Sequence, residues 1–195
     1  MKTTDGNSPD HSWRLDKHKH GIRVYTRHQP GSYYRAYRAE MTLEGDMAPY
    51  LALFEDVSGY RDWMHTTIIS ELIEQPADDE KHIYMVNRNF PIADRDYYAR
   101  LKTCRDEQGD IRVHWDLLER PLHGGRIRVE KLNALITMEP LDKRRFRASL
   151  QGHFEPGGKV PALLANALVT DMPFHTFLKV RKLAASRPAQ QITGC

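Results

Sequence analysis

Cysteine is scarce: Cys104 and Cys195 are the two in a chain of 195 residues. They have neither metal-ligand spacing nor the makings of a disulfide framework. No segment approaches the roughly 18 uninterrupted apolar residues that a membrane-spanning helix requires. The opening stretch, MKTTDGNSPDHSW, lacks the apolar core of a secretory signal. The sequence as given therefore points to the cytoplasm; a signal removed beforehand would make the periplasm the alternative. Charge of one sign is also missing, since 29 Lys and Arg face 26 Asp and Glu for a net +3. The basic residues are scattered, so a nucleic-acid footprint is not expected. There is no glycine-rich phosphate loop, nucleophile elbow or Cys-x-x-Cys pair, and no cofactor or metal is expected.

What remains is an ordinary globular composition, 40% hydrophobic and 28% charged, of a size that suits one domain with a sizeable core. Residues 1–11 are expected to be a flexible N-terminus, 12–185 a single domain and 186–195 a flexible tail. Ser12 to Lys17 suggests a short helix anchored by Trp13 and Leu15. Gly21–Arg27 alternates apolar and polar residues, as a half-buried strand does, and Tyr34–Leu43 follows across a Pro-Gly turn. At Gly45–Glu55 the period changes to that of a helix, capped by Asp46 with Pro49 in its first turn. A second short turn, Gly59–Trp63, follows. Six strand-like runs come next: Thr67–Glu74, Lys81–Asn87, Asp96–Cys104, Ile111–Glu119, Arg126–Met138 and Arg144–Phe154.

After Glu155-Pro-Gly-Gly158, a tight turn by its composition, comes the longest helical pattern, from Pro161 to Leu183. Its first half is apolar nearly all round, which implies burial on more than one side. Pro173 lies inside it and predicts a kink, because it removes a backbone donor and crowds the carbonyl of Val169. The order is α+β: an antiparallel sheet that must curl around one long C-terminal helix, with two short helices inserted after the second strand. The strands carry one greasy and one charged face. Tyr97, Ala99 and Leu101 oppose Arg100 and Lys102; Val113, Trp115 and Leu117 oppose His114 and Asp116; Phe146, Ala148 and Leu150 oppose Arg145 and Arg147.

These landmarks resemble the START (steroidogenic acute regulatory protein-related lipid transfer) domains of the helix-grip, Bet v 1-like superfamily, in their small stand-alone bacterial form. The carrying segments are Trp13-x-Leu15 with Gly21-Ile-x-Val-Tyr25, then Tyr60-x-x-Trp63, then Phe90-Pro-Ile-Ala-Asp-Arg-Asp96. The most specific is Glu155-Pro-Gly-Gly-Lys-Val-Pro-Ala-Leu-Leu-Ala-Asn166, with Asp171-Met-Pro-Phe-His-Thr176 behind it. They fall in family order over nearly the whole chain. The resemblance implies a helix-grip fold around a tunnel for a lipid or other hydrophobic small molecule. It implies a non-enzymatic carrier or sensor; a monomer and a transient membrane-surface contact are also expected. Sterol-binding members keep an arginine in the cavity where this chain has Leu101, so sterol specificity is not carried over.

The residues expected to face a ligand are Trp63, Tyr84, Tyr97, Leu101, Trp115, Leu117, Phe146 and Ala148 from the inserted helices and the sheet. Leu164, Leu168 and Met172 join them from the helix. A gate is expected where the helix start, at Pro161, opposes the 121–125 loop with Leu122, Gly124 and Gly125. Asp94-Arg95-Asp96 is taken as an ion-pair and turn device rather than a catalytic acid pair. Asp171 and His175 are taken as an (i, i+4) surface pair rather than a dyad, and His11, His18 and His20 as solvated rather than metal-binding. Two other functions stay open: an aromatase/cyclase-like enzyme of the same superfamily, and a protein-interaction module.

Overall fold

In the computed structural model, which describes residues 12–121 and 125–186, ten strands join in one sheet. They are β1 (Arg14–Lys19), β2 (Ile22–Arg27), β3 (Ala36–Glu44), β4 (Thr67–Ala77), β5 (Glu80–Asn89), β6 (Ile92–Arg105), β7 (Ile111–Leu118), β8 (Ile127–Arg128), β9 (Lys131–Pro140) and β10 (Arg145–Glu155). Between β3 and β4 lie α1 (Ala48–Glu55), a 3-10 turn (Val57–Gly59) and α2 (Tyr60–Trp63). After β10 come α3 (Ala162–Leu168) and α4 (Asp171–Ser186). The order across the sheet is β1-β2-β3-β10-β9-β7-β6-β5-β4, antiparallel throughout, with two-residue β8 lying parallel to β6 off this path.

Alternation determines which face holds the core. Ile22 and Val24 of β2, Ala39, Met41 and Leu43 of β3, Tyr97, Ala99 and Leu101 of β6, and Phe146, Ala148 and Leu150 of β10 are all buried on one side. The opposite side carries ion pairs between neighbouring strands, such as Arg100 with Asp116 at 3.1 Å. α4 lies on the greasy side against β2, β3, α1 and α2. It buries Phe174, Phe177, Val180 and Ala184, a spacing that keeps them on one stripe. The helix-grip reading therefore holds.

Three local expectations fail. The run Arg126–Met138 is not one strand but two, β8 and β9, parted at Val129-Glu130. Residues 14–19 are not helical: β1 pairs with β2 as an edge strand, and its mostly exposed, charged residues suit an edge that must not recruit another chain. Trp13 stands just before it, its ring between the guanidinium groups of Arg27 at 4.6 Å and Arg38 at 5.1 Å. The long C-terminal pattern is also not one kinked helix. It breaks at Val169-Thr170, upstream of Pro173, so that Pro173 falls in the first turn of α4. There its missing N–H has no intrahelical partner to lose, whereas a continuous helix would have sacrificed a backbone bond and crowded Val169.

Candidate ligand cavity

Between the greasy face and the C-terminal helices lies a cavity of about 130 Å³. The sheet supplies Tyr97, Trp115, Ile136 and Leu150, and the inserted α2 contributes Trp63. Ala165 and Leu168 of α3, Val169 just after it and Met172 of α4 close it from above. Such a space arises because the short helices fill only one end of the concave face. Tyr50 and Phe54 of α1 and Tyr60 and Trp63 of α2 pack into that end, with Tyr50 edge-on to Phe146 at 5.1 Å and Phe54 edge-on to Trp63 at 5.1 Å. Towards α3 the sheet is left to be covered by a seven-residue helix, none of whose residues is buried.

The cover is held by few bonds. Asn166 latches it to the segment after β2, its Oδ1 accepting from the Arg35 amide at 2.8 Å and its Nδ2 donating to the Tyr33 carbonyl at 3.1 Å. The Tyr34 hydroxyl donates to the carbonyl of Val160 at 3.1 Å. Behind α3 the Pro-Gly-Gly turn is seated on β8. Gly157 (φ +69°) approaches so closely that a Cβ there would stand 2.1 Å from the Arg128 carbonyl oxygen. β8 is itself pinned by Arg128, whose guanidinium reaches both oxygens of fully buried Asp96 at 3.1 and 3.2 Å.

Polar groups in the wall are few. The Tyr97 hydroxyl donates to Met85 Sδ at 3.4 Å, and burial pushes its pKa above the ordinary tyrosine range. The indole Nε1 atoms of Trp63 and Trp115 are buried with no hydrogen-bond partner among the described residues, each at a cost of about 1–3 kcal/mol. His65 borders the cavity, its amide bonded to Thr176 Oγ1 at 3.1 Å and its ring 4.9 Å from that of His175. Burial lowers its pKa, and His175 and Lys179 oppose its charging further. The next residue, Thr66, has φ +74°, an unusual conformation for a β-branched side chain.

Of the residues anticipated to face a ligand, Trp63, Tyr97, Trp115, Leu168 and Met172 line the cavity. The others do not, for identifiable reasons. Tyr84 points to the far face because its neighbour Met85 takes the inward position, in register with Tyr97. Its hydroxyl instead donates to Asp96 at 3.1 Å. Leu101, Phe146 and Ala148 are buried, but in the core that α1 and α2 help fill. Leu117 packs against that same core, half-buried. Leu164 is displaced because the face of α3 turned to the cavity carries Ala165 and Leu168. In the anticipated gate, Leu122 and Gly124 lie outside the described residues. Gly125 precedes β8 with φ +67°, and exposed Pro161 sits at the start of α3.

The polar motifs resolve as pairs. Asp94 meets Arg88 at 3.0 and 2.8 Å, and Asp96 meets Arg128. Asp171 pairs with Lys17 of β1 at 2.6 Å rather than with His175. Alternation has one further consequence. Arg95, grouped by its sequence with the ion-pair device, shares the face of Tyr97 and enters the cavity wall, 5% exposed. Among the described residues no helix is long and apolar enough to cross a membrane.

No model of a known protein family matches the chain. It is 32% identical over 184 residues to an uncharacterized protein of Pseudomonas aeruginosa, covering 93% of this chain and 91% of that one. It is 28% identical over 165 residues to the mouse phosphatidylcholine transfer protein, covering 79% and 75% of the two chains. Among solved structures, the STAR-related lipid transfer protein from Xanthomonas axonopodis superposes with a TM-score of 0.82 at 30% identity, over 89% of this chain and 98% of that one. The fold alone is shared with the Zhui aromatase/cyclase from Streptomyces, at 15% identity and a TM-score of 0.56 over 82% and 99% of the chains. The motifs, the sheet gripping α4 and the likeness to the Xanthomonas protein agree: the chain belongs to the START family of lipid-transfer domains.

Proposed function

We propose that this protein carries or senses a lipid or similar hydrophobic small molecule, held without covalent chemistry in the cavity between the sheet and α3. The observation that carries the reading is a mainly apolar internal space under a cover with no buried residue. Unfilled apolar volume is destabilising, and a ligand that occupies it restores the lost contacts. At about 130 Å³ the space is below the roughly 300–1,000 Å³ of drug-sized sites. Entry of a larger ligand then needs α3 to swing outward with the 121–125 loop, the gate anticipated from the sequence. In this reading Trp63, Tyr97, Trp115, Leu168 and Met172 contact the ligand.

Three large apolar side chains support a transient membrane contact at the same end. Tyr33 (87% exposed), Phe90 (92%) and Leu163 (87%) belong to segments that also line the cavity. Exposed aromatic residues of this kind suit the water–lipid interface. The enzyme reading is less well supported. Acid–base chemistry needs titratable groups within reach of a substrate, and the described lining holds one imidazole, His65, and no carboxylate. We take the carrier to act as a monomer, without nucleic acid or cofactor.

The test is uptake from membranes. In a Trp13→Phe background the remaining indoles, Trp63 and Trp115, both line the cavity, so their emission reports its occupancy. Titration with vesicles of a mixed bacterial lipid extract is expected to shift that emission saturably, and re-isolated protein is expected to retain lipid. Emission that stays constant, with no lipid retained, would refute the carrier reading.

A further inference from the structure

Among the described residues lining the cavity, Arg95 alone carries a fixed charge. Its sequence neighbours do not neutralise it. Strand alternation turns Asp94 and Asp96 to the other face of β6, where Arg88 and Arg128 already occupy them. Among the described residues the Arg95 guanidinium donates only to backbone carbonyls: Nε to Pro156 at 3.3 Å, Nη2 to Gly157 at 3.4 Å and Nη1 to Ala93. A guanidinium carries five N–H donors, and carbonyl dipoles satisfy hydrogen bonds without supplying a counter-charge. A nearly buried cation with no described carboxylate in ion-pair range is a standing cost, and it lies in a wall that is otherwise mostly apolar.

Its position along the strand adds a direction. Leu101 lies six residues beyond Arg95 on β6, roughly 20 Å at the usual strand rise, and is in register with Trp115. The charge therefore sits at the end beneath the Pro-Gly-Gly turn and α3, and the indole wall at the other.

We propose that Arg95 is a head-group site. The ligand is an amphiphile whose anionic oxygen group, a carboxylate or a phosphate, docks on Arg95 while its apolar tail runs towards Trp63 and Trp115. This inference rests on the carrier reading and narrows it to acidic amphiphiles. The site supplies charge-assisted hydrogen bonds as well as a counter-ion, the stronger class of hydrogen bond.

The experiment holds the tail constant and varies the head. Decanoate, decyl phosphate, 1-decanol and decyltrimethylammonium are titrated calorimetrically into delipidated protein, each below its micellar concentration, with acetate and inorganic phosphate as tail-less controls. The two anionic probes are expected to bind at least about tenfold tighter than 1-decanol. The cationic probe and the tail-less anions are expected to give no measurable binding. Arg95→Met is expected to close the gap between decanoate and 1-decanol. The comparison within the native protein stands even if that variant fails to fold. Equal affinity for decanoate and 1-decanol would overturn the head-group assignment while leaving the carrier standing. Tail-less anions that bind as tightly as decanoate would overturn the amphiphile. Failure of every ten-carbon probe would remove the carrier reading as well.

Discussion

Ala134→Leu tests whether the space beside Trp115 is unfilled. Ala134 lies on β9, borders the cavity, and stands in register with Trp115 on one side and Gly152 on the other. An empty space of 130 Å³, at about 24 cal/mol per Å³, costs about 3 kcal/mol relative to a filled one. The substitution adds three carbons, worth about 2.4 kcal/mol if all are buried without strain. Forcing new atoms into a packed wall costs about 1–3 kcal/mol. With room available, the balance should favour stabilisation by about 1 kcal/mol, a rise in Tm of about 2–4 °C for a chain of this length. The measurement is thermal unfolding followed by circular dichroism on delipidated protein, because a retained ligand would itself stabilise the native state. Calorimetric titration with a hydrophobic probe should show affinity falling at the same time. Destabilisation by more than about 1 kcal/mol, or binding left at full strength, would mean that this volume is neither empty nor the ligand's.

Asn166→Ala removes both bonds that tie α3 to residues 33–35, each worth about 0.5–1.5 kcal/mol; ligand exchange in stopped-flow fluorescence should quicken by about tenfold, and unchanged exchange would show that α3 is not the moving part. Gly157→Ala should cost at least about 2 kcal/mol in chemical denaturation, since positive φ is joined by a collision with the Arg128 carbonyl. Gly21→Ala, where φ is +71° but no atom lies within 4 Å, should cost only about 1 kcal/mol, and equal losses would contradict the packing argument. Burial lowers the pKa values of both His65 and His153, so the native protein binds fewer protons than the unfolded chain as pH drops below the unfolded histidine value of about 6.5. Stability should be full above that value and decline as pH falls from about 6.5 to 5.5, less steeply in His65→Gln; a Tm flat or rising over that window would refute the assignment.

The parts legible in the sequence are those governed by a short period. Alternation along β6, β7 and β10 identified the greasy face because a strand offers each side chain only two directions. The same rule applied strictly would have excluded Tyr84, adjacent to inward-facing Met85, and admitted Arg95, two residues before Tyr97. Arg95 was overlooked because its flanking aspartates suggested a local ion pair, although those partners lie on the opposite face. Other features depend on tertiary context. Tyr50 and Phe54 of α1 help fill the end of the groove that contains Leu101, Phe146 and Ala148, and no local pattern reveals how far two short helices reach. Residues 14–19 have too few apolar positions to declare a period, and pairing with β2 decides for strand. Pro173 signalled a kink in the last helix, but a proline is also tolerated in a first turn, and the chain instead breaks upstream at Val169-Thr170.

If the space under α3 is a ligand site rather than a packing defect, the purified protein should carry its ligand. Native mass spectrometry of the purified protein, followed by solvent extraction of whatever accompanies it, tests this most directly. The expected result is a discrete mass adduct that disappears on extraction, returns when the extract is added back, and contains an acidic amphiphile. Protein that is reproducibly bare, and stays bare across a broad panel of lipids, would contradict it.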